Sequence, residues 1–230
     1  HPVDRRQRQM CIRDRVVGAG IIGASIAYEL SNLGIKTILI DKYKAGSGTS
    51  GSSFNWINAT YPKKPYSYNY IAQLGVKAFK DIQNDLNYEI QWNGSLEWVN
   101  SKESQKKLID EVNKLMQYQT FTKHKIINHN KANILETNIN FRDNINIVHS
   151  EDDGVIDTSE FIKLLIDRIN FNGSQVIEDC EYKNIKYTNN TISSIITSKG
   201  EIAANQIVFA CGIDTNLSLI HISEPTRLQQ

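Results

Sequence analysis

The sequence predicts an α/β fold built on a parallel sheet, and three observations support the prediction. A glycine-rich turn, GAGIIG, follows two valines and opens an apolar helical pattern. A short β-branched strand, TILI, ends in an acidic residue, and another apolar strand, QIVFACG, lies near the end of the chain. Short apolar strands that alternate with helices are typical of parallel sheets covered by helices.

The turn after the first strand has glycines at the spacing GxGxxG, namely Gly18, Gly20 and Gly23. The first glycine of such a turn permits a tight strand-to-helix connection, and the second lets backbone amides approach a pyrophosphate. The third allows the helix to lie close to the sheet. The helix that follows directs its positive end at the phosphates. The turn therefore predicts a dinucleotide site.

The next helix and strand supply the context that this turn requires. Residues 21–33 carry Ala, Ile and Leu along one side, and Gly34 predicts the end of the helix. Residues 37–40 form the second strand, which Asp41 follows directly. An acid about 20 residues after the first glycine is placed to accept hydrogen bonds from a ribose hydroxyl.

A segment rich in glycine and serine, residues 44–53 (the Gly/Ser segment), comes next and leads into FNWINA. Its small residues let the chain run close to an extended cofactor, and its hydroxyls can bond a second phosphate or a ribitol. This favours FAD over NAD. A flexible linker is the alternative, but linkers rarely end in residues such as Phe54, Trp56 and Ile57.

The later elements follow from periodicity and capping signals. Residues 66–86 and 101–117 have helical spacing of apolar residues, and residues 92–100 have the pattern of a strand. The last helix begins near Asp157, which is predicted to be its N-cap because Glu160 follows at capping-box spacing.

The glycine turn, TILIDK and AGSGTSGSSFNWINA together resemble the FAD-dependent oxidoreductases of the D-amino-acid oxidase, glycine oxidase and sarcosine oxidase family. DDGVIDTSEFIKLLI and QIVFACG agree with the resemblance. The resemblance implies an α/β protein with a Rossmann-like FAD-binding domain, interrupted by the start of a mixed α+β substrate domain. The FAD-binding parts are expected at residues 16–87 and 151–216, with the substrate-domain segment at residues 88–150.

The resemblance also implies the cofactor contacts. The three glycines would hold the pyrophosphate, Asp41 the adenosine ribose, and Lys42 would flank the adenine. Thr49 and Ser50 would contact the phosphates or the ribitol, and residues 53–55 would pass near the flavin ring. Where Tyr182 stands, the family often has a valine whose backbone contacts adenine. The implied FAD-binding residues are Gly18, Gly20, Gly23, Asp41, Lys42, Thr49, Ser50, Ser53, Phe54, Asn55, Tyr182, Ala210 and Gly212.

The function implied by the resemblance is oxidation of the C–N bond of an amino acid or a secondary amine, with a hydride passing to noncovalent FAD. Noncovalent binding is expected because no His or Cys lies near the second motif. Oxygen or a membrane quinone would accept the electrons. No catalytic residue is assigned, because the family's substrate-clamping Arg and Tyr usually come from the later half of the chain.

Three alternatives remain open. An NAD-dependent Rossmann dehydrogenase would share the glycine turn and Asp41, but its nucleotide binding should tolerate loss of Thr49 and Ser50. A flavin domain of an RNA-modifying enzyme would share the fold. The chain could also be an inactive nucleotide-binding fragment.

The two ends are expected to be foreign to the fold. LSLIHI, at residues 217–222, can be back-translated to DNA whose reverse complement encodes MCIRD, the sequence at residues 10–14. An inverted adapter joined to both ends of a DNA fragment produces such a pair. We therefore expect residues 1–15 and 217–230 to be adapter sequence, which removes the basic lead as an export signal.

Composition limits the classes of partner and the compartment that can be expected for the protein. The net charge of the whole chain is +1, and the expected adapter ends carry more basic than acidic residues, so no nucleic-acid partner is expected. Apolar runs fall short of the roughly 20 residues of a membrane helix. Cys180 and Cys211 form neither a CxxC nor a metal set, which favours a reducing compartment. We expect a cytoplasmic protein, or one peripheral to the inner membrane face, with a small amino acid or amine as its substrate.

Overall fold

The computed structural model describes residues 14–59, 63–118 and 121–215, which fold as two compact units. Unit 1 lies within residues 1–53 and 157–230, and unit 2 comprises the described residues of 54–156. The compact units divide after residues 53 and 156, whereas the sequence predicts domain boundaries at residues 87 and 150, and the helix at residues 66–86 lies within unit 2. The second unit still interrupts the first along the chain.

In its described residues, unit 1 contains a parallel sheet, an antiparallel sheet, two α-helices and a short 3-10 helix at Gly212–Asp214. The strands of the parallel sheet are β1 (Asp14–Val17), β2 (Thr37–Ile40), β8 (Gln175–Ile177) and β12 (Gln206–Phe209), in the order β12-β1-β2-β8. The helices are α1 (Ile21–Asn32) and α5 (Thr158–Phe171), and the antiparallel strands are β9 (Tyr182–Thr188), β10 (Thr191–Thr197) and β11 (Gly200–Ala203).

The parallel sheet follows from its apolar, β-branched strands. All residues of β2 are buried, as expected for a strand with neighbours on both sides. Helix α1 packs against α5 and buries a face rich in small residues, including Gly23, Ala24 and Ala27. Small side chains let the helix approach its neighbours closely, which brings the start of α1 to the carboxyl end of β1.

The antiparallel sheet packs an apolar face against the parallel one. Ile195 and Cys180 share a buried cluster with Val17, Ile38 and Ile40. The hairpin between β9 and β10 turns at two asparagines that both adopt positive φ, 51° and 59°, which is typical of the type I′ turns that join twisted strands.

Unit 2 combines short sheets with three helices. Its strands are β3 (Trp56–Ile57), β4 (Ser95–Glu97), β5 (His124–Asn128), β6 (Asn146–Ser150) and β7 (Gly154–Val155), and its helices are α2 (Tyr66–Leu86), α3 (Lys102–Met116) and α4 (His129–Leu135). The sheets are β4-β6-β5 and β3-β7, both antiparallel. The core includes Ile127, Ile147 and Phe141, whose ring meets Trp98 edge-on at 4.9 Å.

Several predicted elements are confirmed and one is shorter than predicted. Helix α2 spans the predicted residues, and α5 begins at the predicted cap, because Asp157 accepts hydrogen bonds from the amides of Ser159 and Glu160. The strand predicted at residues 92–100 is limited to β4. Trp92 lies outside it, where its indole donates to Gln83 at 2.9 Å.

Replacing Arg15 by valine is expected to stabilise the chain. Arg15 lies in β1, between β2 and β12, and is only 3% exposed, although this position was expected to be adapter sequence. Burial lowers the pKa of its guanidinium, since a charge is poorly solvated there. We expect Arg15→Val to raise the free energy of unfolding by about 1 to 3 kcal/mol. Denaturant unfolding tests this, with the exposed Arg142→Val as the control, and an unchanged or lower stability would contradict it.

Candidate functional site

The glycine turn between β1 and α1 leaves no space for a side chain at its first and third glycines. Gly18 has a φ of +102°, and a Cβ built on it would lie 2.5 Å from the carbonyl oxygen of Ala210. A Cβ on Gly23 would lie 1.8 Å from the carbonyl oxygen of Gly18. The first and third positions of the motif therefore require glycine for the reasons that the sequence predicted.

A serine from the Gly/Ser segment caps the start of α1. Gly20 is the N-cap and has no side chain to cap the helix. The hydroxyl of Ser50 accepts a hydrogen bond from the amide of Ile21 at 3.0 Å, and a Cβ on Gly20 would come within 3.0 Å of the same oxygen. Ser50 therefore lies at the positive end of α1, where the helix dipole favours phosphate oxygens.

Asp41, at the end of β2, has both carboxylate oxygens directed at backbone amides. One oxygen accepts from the amide of Ala19 at 2.7 Å and the other from the amide of Tyr43 at 2.8 Å. The carboxylate thus links the glycine turn to the loop after β2. Each carboxylate oxygen can accept more than one hydrogen bond. The carboxylate can therefore also accept a hydrogen bond from a ribose hydroxyl.

The Gly/Ser segment is a succession of tight turns rather than an extended linker. The amide of Gly51 donates to the carbonyl of Gly48, and the amide of Ser53 to that of Ser50. The amide of Gly46 donates to the carbonyl of Ala19 at 2.9 Å. The segment is therefore fixed to the glycine turn by its backbone, while the side chains of Thr49 and Ser53 are exposed.

The chain after β12 completes the region around β1. The amide of Ala210 donates to the carbonyl of Val17 at 2.8 Å, and Gly212 has a positive φ of 57°. Lys42 forms an ion pair with Asp214 at 2.6 Å, and this hydrogen bond raises the pKa of Lys42. The pair is partly exposed, so it contributes little to stability.

Tyr182, the first residue of β9, uses its side chain for packing. Its ring meets that of Phe209 edge-on at 5.0 Å, and burial raises the pKa of its phenol. The side chain is thus engaged within unit 1. This is compatible with the expectation that only the backbone at this position would contact a cofactor.

Two of the predicted residues belong to unit 2. Phe54 is 85% exposed and its ring lies edge-on to Trp56, with centroids 6.1 Å apart. Asn55 adopts a positive φ of 61°, and its carbonyl accepts from the amide of Ile156 at 3.2 Å. The structure therefore brings the other predicted residues together in unit 1 and holds Phe54 and Asn55 in unit 2.

Sequence reasoning missed a buried polar cluster in unit 2 around Asp153. This carboxylate is fully buried, and one of its oxygens accepts from the Nδ2 of Asn58 at 2.7 Å and from the hydroxyl of Ser95 at 2.6 Å. Burial and the charge of Asp153 raise the pKa of Glu97, and burial lowers the pKa of Lys63. The paired acids of DDGV are a local signal, but the partners lie far away in the sequence.

The stability of unit 2 is expected to fall below about pH 6.5, the ordinary pKa of histidine. Burial lowers the pKa of His124, although a backbone hydrogen bond with Val112 and the charge of Asp153 oppose this effect. The unfolded chain therefore binds this proton more readily, and His124 contributes a slope of at most about 1.4 kcal/mol per pH unit. Burial also lowers the pKa of His149, which adds to the slope. Denaturant unfolding between pH 7.5 and 5.5 tests this. His124→Gln should reduce the dependence of the free energy of unfolding on pH. His129→Gln, at a less buried histidine, should not. Equal pH profiles for the two variants would contradict the prediction.

Within residues 14–59, 63–118 and 121–215, no group of three or more His, Cys, Asp or Glu side chains is placed to hold a metal ion. In the same ranges, none of the helices is long and apolar enough to span a membrane.

Comparison with known proteins gives a family and several structures. The family model described as FAD dependent oxidoreductase matches residues 16–229, a range that includes the C-terminal residues expected to be adapter. A probable sarcosine oxidase of Arabidopsis thaliana is 32% identical over 79 residues, which cover 34% of this chain and 18% of the plant protein.

The similar solved structures share the fold. L-proline dehydrogenase from P. horikoshii aligns with a TM-score of 0.84 and 22% identity, over 94% of this chain and 57% of the other. L-amino acid deaminase from Proteus vulgaris has a TM-score of 0.83 and 19% identity, over 90% and 49%. Glycine oxidase from Bacillus cereus has a TM-score of 0.79 and 19% identity, over 91% and 57%. The chain thus spans roughly half the length of these structures.

Proposed function

The chain belongs to the FAD dependent oxidoreductase family, and on this premise we propose that it is part of a longer enzyme that oxidises the C–N bond of an amino acid or a secondary amine. The observation that supports this proposal is the connection of the glycine turn to Ser50 and Asp41 at the carboxyl end of the parallel sheet. This is where open α/β sheets bind their ligands.

The residues of unit 1 fit an extended dinucleotide. The turn is tight, because a Cβ at Gly18 or Gly23 would clash with backbone, and the missing side chain at Gly20 would let a pyrophosphate approach the backbone amides. Ser50 and the amides at the start of α1 would bind the phosphates, and Asp41 would accept the ribose hydroxyls. The involvement of Ser50 supports FAD over NAD, because the Gly/Ser segment then contributes directly to the site.

The protein's own part in the reaction is binding and orientation. When bound, FAD supplies the acceptor for a hydride from the substrate carbon. Phe54 and Asn55 would lie beside the flavin ring and help to exclude water from it. We propose noncovalent binding, because the Gly/Ser segment and FNWINA offer no His or Cys for a tether.

The names of the similar proteins support an amine substrate. Sarcosine oxidase, L-proline dehydrogenase and glycine oxidase are each named for an amino acid with an oxidisable C–N bond. We therefore propose a small amino acid or N-substituted amino acid as the substrate. Oxygen or a quinone would serve as the final acceptor, the latter at a membrane face.

The visible spectrum of the protein from the complete reading frame tests the proposal. It should purify yellow, release its flavin on acid precipitation, and bleach under anaerobic conditions with one of glycine, sarcosine, proline or the D-amino acids. Oxygen consumption against dye reduction then distinguishes an oxidase from a dehydrogenase. A colourless protein that takes up no added FAD but binds NAD would overturn the proposal in favour of a dehydrogenase.

A further inference from the structure

The turn between β6 and β7, residues 151–153, makes contacts that the proposed cofactor site does not explain. We propose that Asp153 in this acidic turn is a positioning residue, which holds residues 55–59 (the flavin-side segment) in place. The inference rests on the proposed function, in which Asn55, the first residue of this segment, lies beside the flavin ring. It adds a residue that contacts neither the cofactor nor the substrate.

Asp153 bonds the segment through one side chain. Its buried carboxylate oxygen accepts from the Nδ2 of Asn58 at 2.7 Å, and the same oxygen accepts from Ser95 in β4 at 2.6 Å. The Nζ of Lys63 donates to the backbone carbonyl of Asn58. Asn58 is therefore held at its side chain and at its backbone by groups of opposite charge. Hydrogen bonds to ionised groups are about twice as strong as those between neutral groups.

The residues after Asp153 fix the rest of the segment by backbone pairing. Strand β7 pairs with β3, with Val155 opposite Trp56 and Gly154 opposite Ile57. Gly154 is needed because a Cβ there would lie 2.7 Å from the Trp92 ring. Asp153 therefore directly precedes β7, the strand whose pairing with β3 fixes Trp56 and Ile57 of the flavin-side segment.

Helix α2 holds the other end of the segment. The Nδ2 of Asn69 donates to the carbonyl of Ala59 at 2.7 Å, and the Nε2 of Gln73 donates to the Oδ1 of Asn69 at 2.8 Å. Both amide side chains are buried. Backbone pairing fixes Trp56 and Ile57, and this amide pair fixes Ala59, so the bond between Asp153 and Asn58 holds the residue that joins them.

The neighbouring Asp152 provides a matched control. Its carboxylate bonds Lys80 of α2 and the amide of Lys123 at 2.7 Å. These contacts lie in the same acidic turn but do not involve the flavin-side segment. A change at Asp152 therefore reports on the general stability of the turn.

Exchange of the two partners tests the inference. Asn58→Asp places two carboxylates at the 2.7 Å contact, and Asn58→Asp with Asp153→Asn restores a donor and an acceptor. In this chain, Asn58→Asp should speed hydrogen exchange of residues 55–59 by about tenfold, and the double variant should return to within about threefold of wild type. Asp152→Asn should stay within about twofold. In the complete protein, the flavin absorption band should shift in Asn58→Asp and recover in the double variant.

Each outcome of this experiment supports or contradicts the positioning role of Asp153. Recovery of both exchange and spectrum in the double variant supports the positioning role. Exchange that rises equally in Asn58→Asp and Asp152→Asn, or that fails to recover in the double variant, overturns it as a general loss of stability. If Asn58→Asp does not fold, the double variant must still fold with a wild-type spectrum. A colourless wild-type protein overturns the proposed function and this role with it. A yellow wild-type protein whose flavin spectrum is unchanged by Asn58→Asp overturns this role alone.

Discussion

Replacing Gly23 by alanine is expected to unfold much of unit 1 and to abolish FAD binding. The added Cβ would lie 1.8 Å from the carbonyl oxygen of Gly18 and 3.3 Å from the Cβ of Ala210. The first contact is with backbone, so it can be relieved only by moving α1 away from β1. We expect a loss of about 3 to 5 kcal/mol in the free energy of unfolding, because the buried face of α1 would lose its packing together with the turn.

The control is Gly75→Ala, inside α2 of unit 2. A Cβ at Gly75 meets no atom of the described structure within 4 Å, and its φ is not positive. Denaturant unfolding of the chain should show Gly75→Ala at least as stable as wild type, and FAD titration of the complete protein should show wild-type affinity. A stable Gly23→Ala protein with wild-type FAD affinity would contradict the role given to the glycine turn.

The glycine turn was predictable from sequence because its causes are local. Gly23 is required by a contact with the backbone of Gly18 within one strand-to-helix connection, and Gly18 is required by its positive φ in the turn, so their spacing alone carries the information. The same holds for α2 and for the cap at Asp157, which depend on periodicity and on a side chain that bonds amides two and three residues away. Such features need no knowledge of distant residues.

The remaining features depend on distant contacts. Ser50 meets the amide of Ile21, and Asp153 meets Asn58, across 29 and 95 positions of the chain. These sequence separations follow neither the helical nor the strand repeat, so the pattern of residues does not predict the contacts. The unit boundary differed for the same reason: α2 has the pattern of any amphipathic helix, and only its contacts, such as that of Asn69 with Ala59, assign it to unit 2.

Replacing Asp41 by alanine is expected to weaken FAD binding by about a hundredfold. The carboxylate accepts the amides of Ala19 and Tyr43 and would also accept the ribose hydroxyls, so its loss affects both the ligand and the loop that presents it. Two donors close to the site would be left without their acceptor. Because hydrogen bonds to charged groups contribute about 1.5 to 3 kcal/mol each, the loss of more than one accounts for the expected factor.

Fluorescence titration of the complete protein with FAD measures this effect, and Asp167→Ala, an exposed acid of α5, is the control. Asp41→Asn separates the two roles of the carboxylate. An asparagine retains one oxygen, which can accept from Ala19 or Tyr43 but not from both in the present geometry, so it should fall between alanine and wild type. If Asp41→Asn instead binds FAD as wild type does, the negative charge is not needed for the ribose. The proposed role of the Asp41 carboxylate at the ribose would then be contradicted.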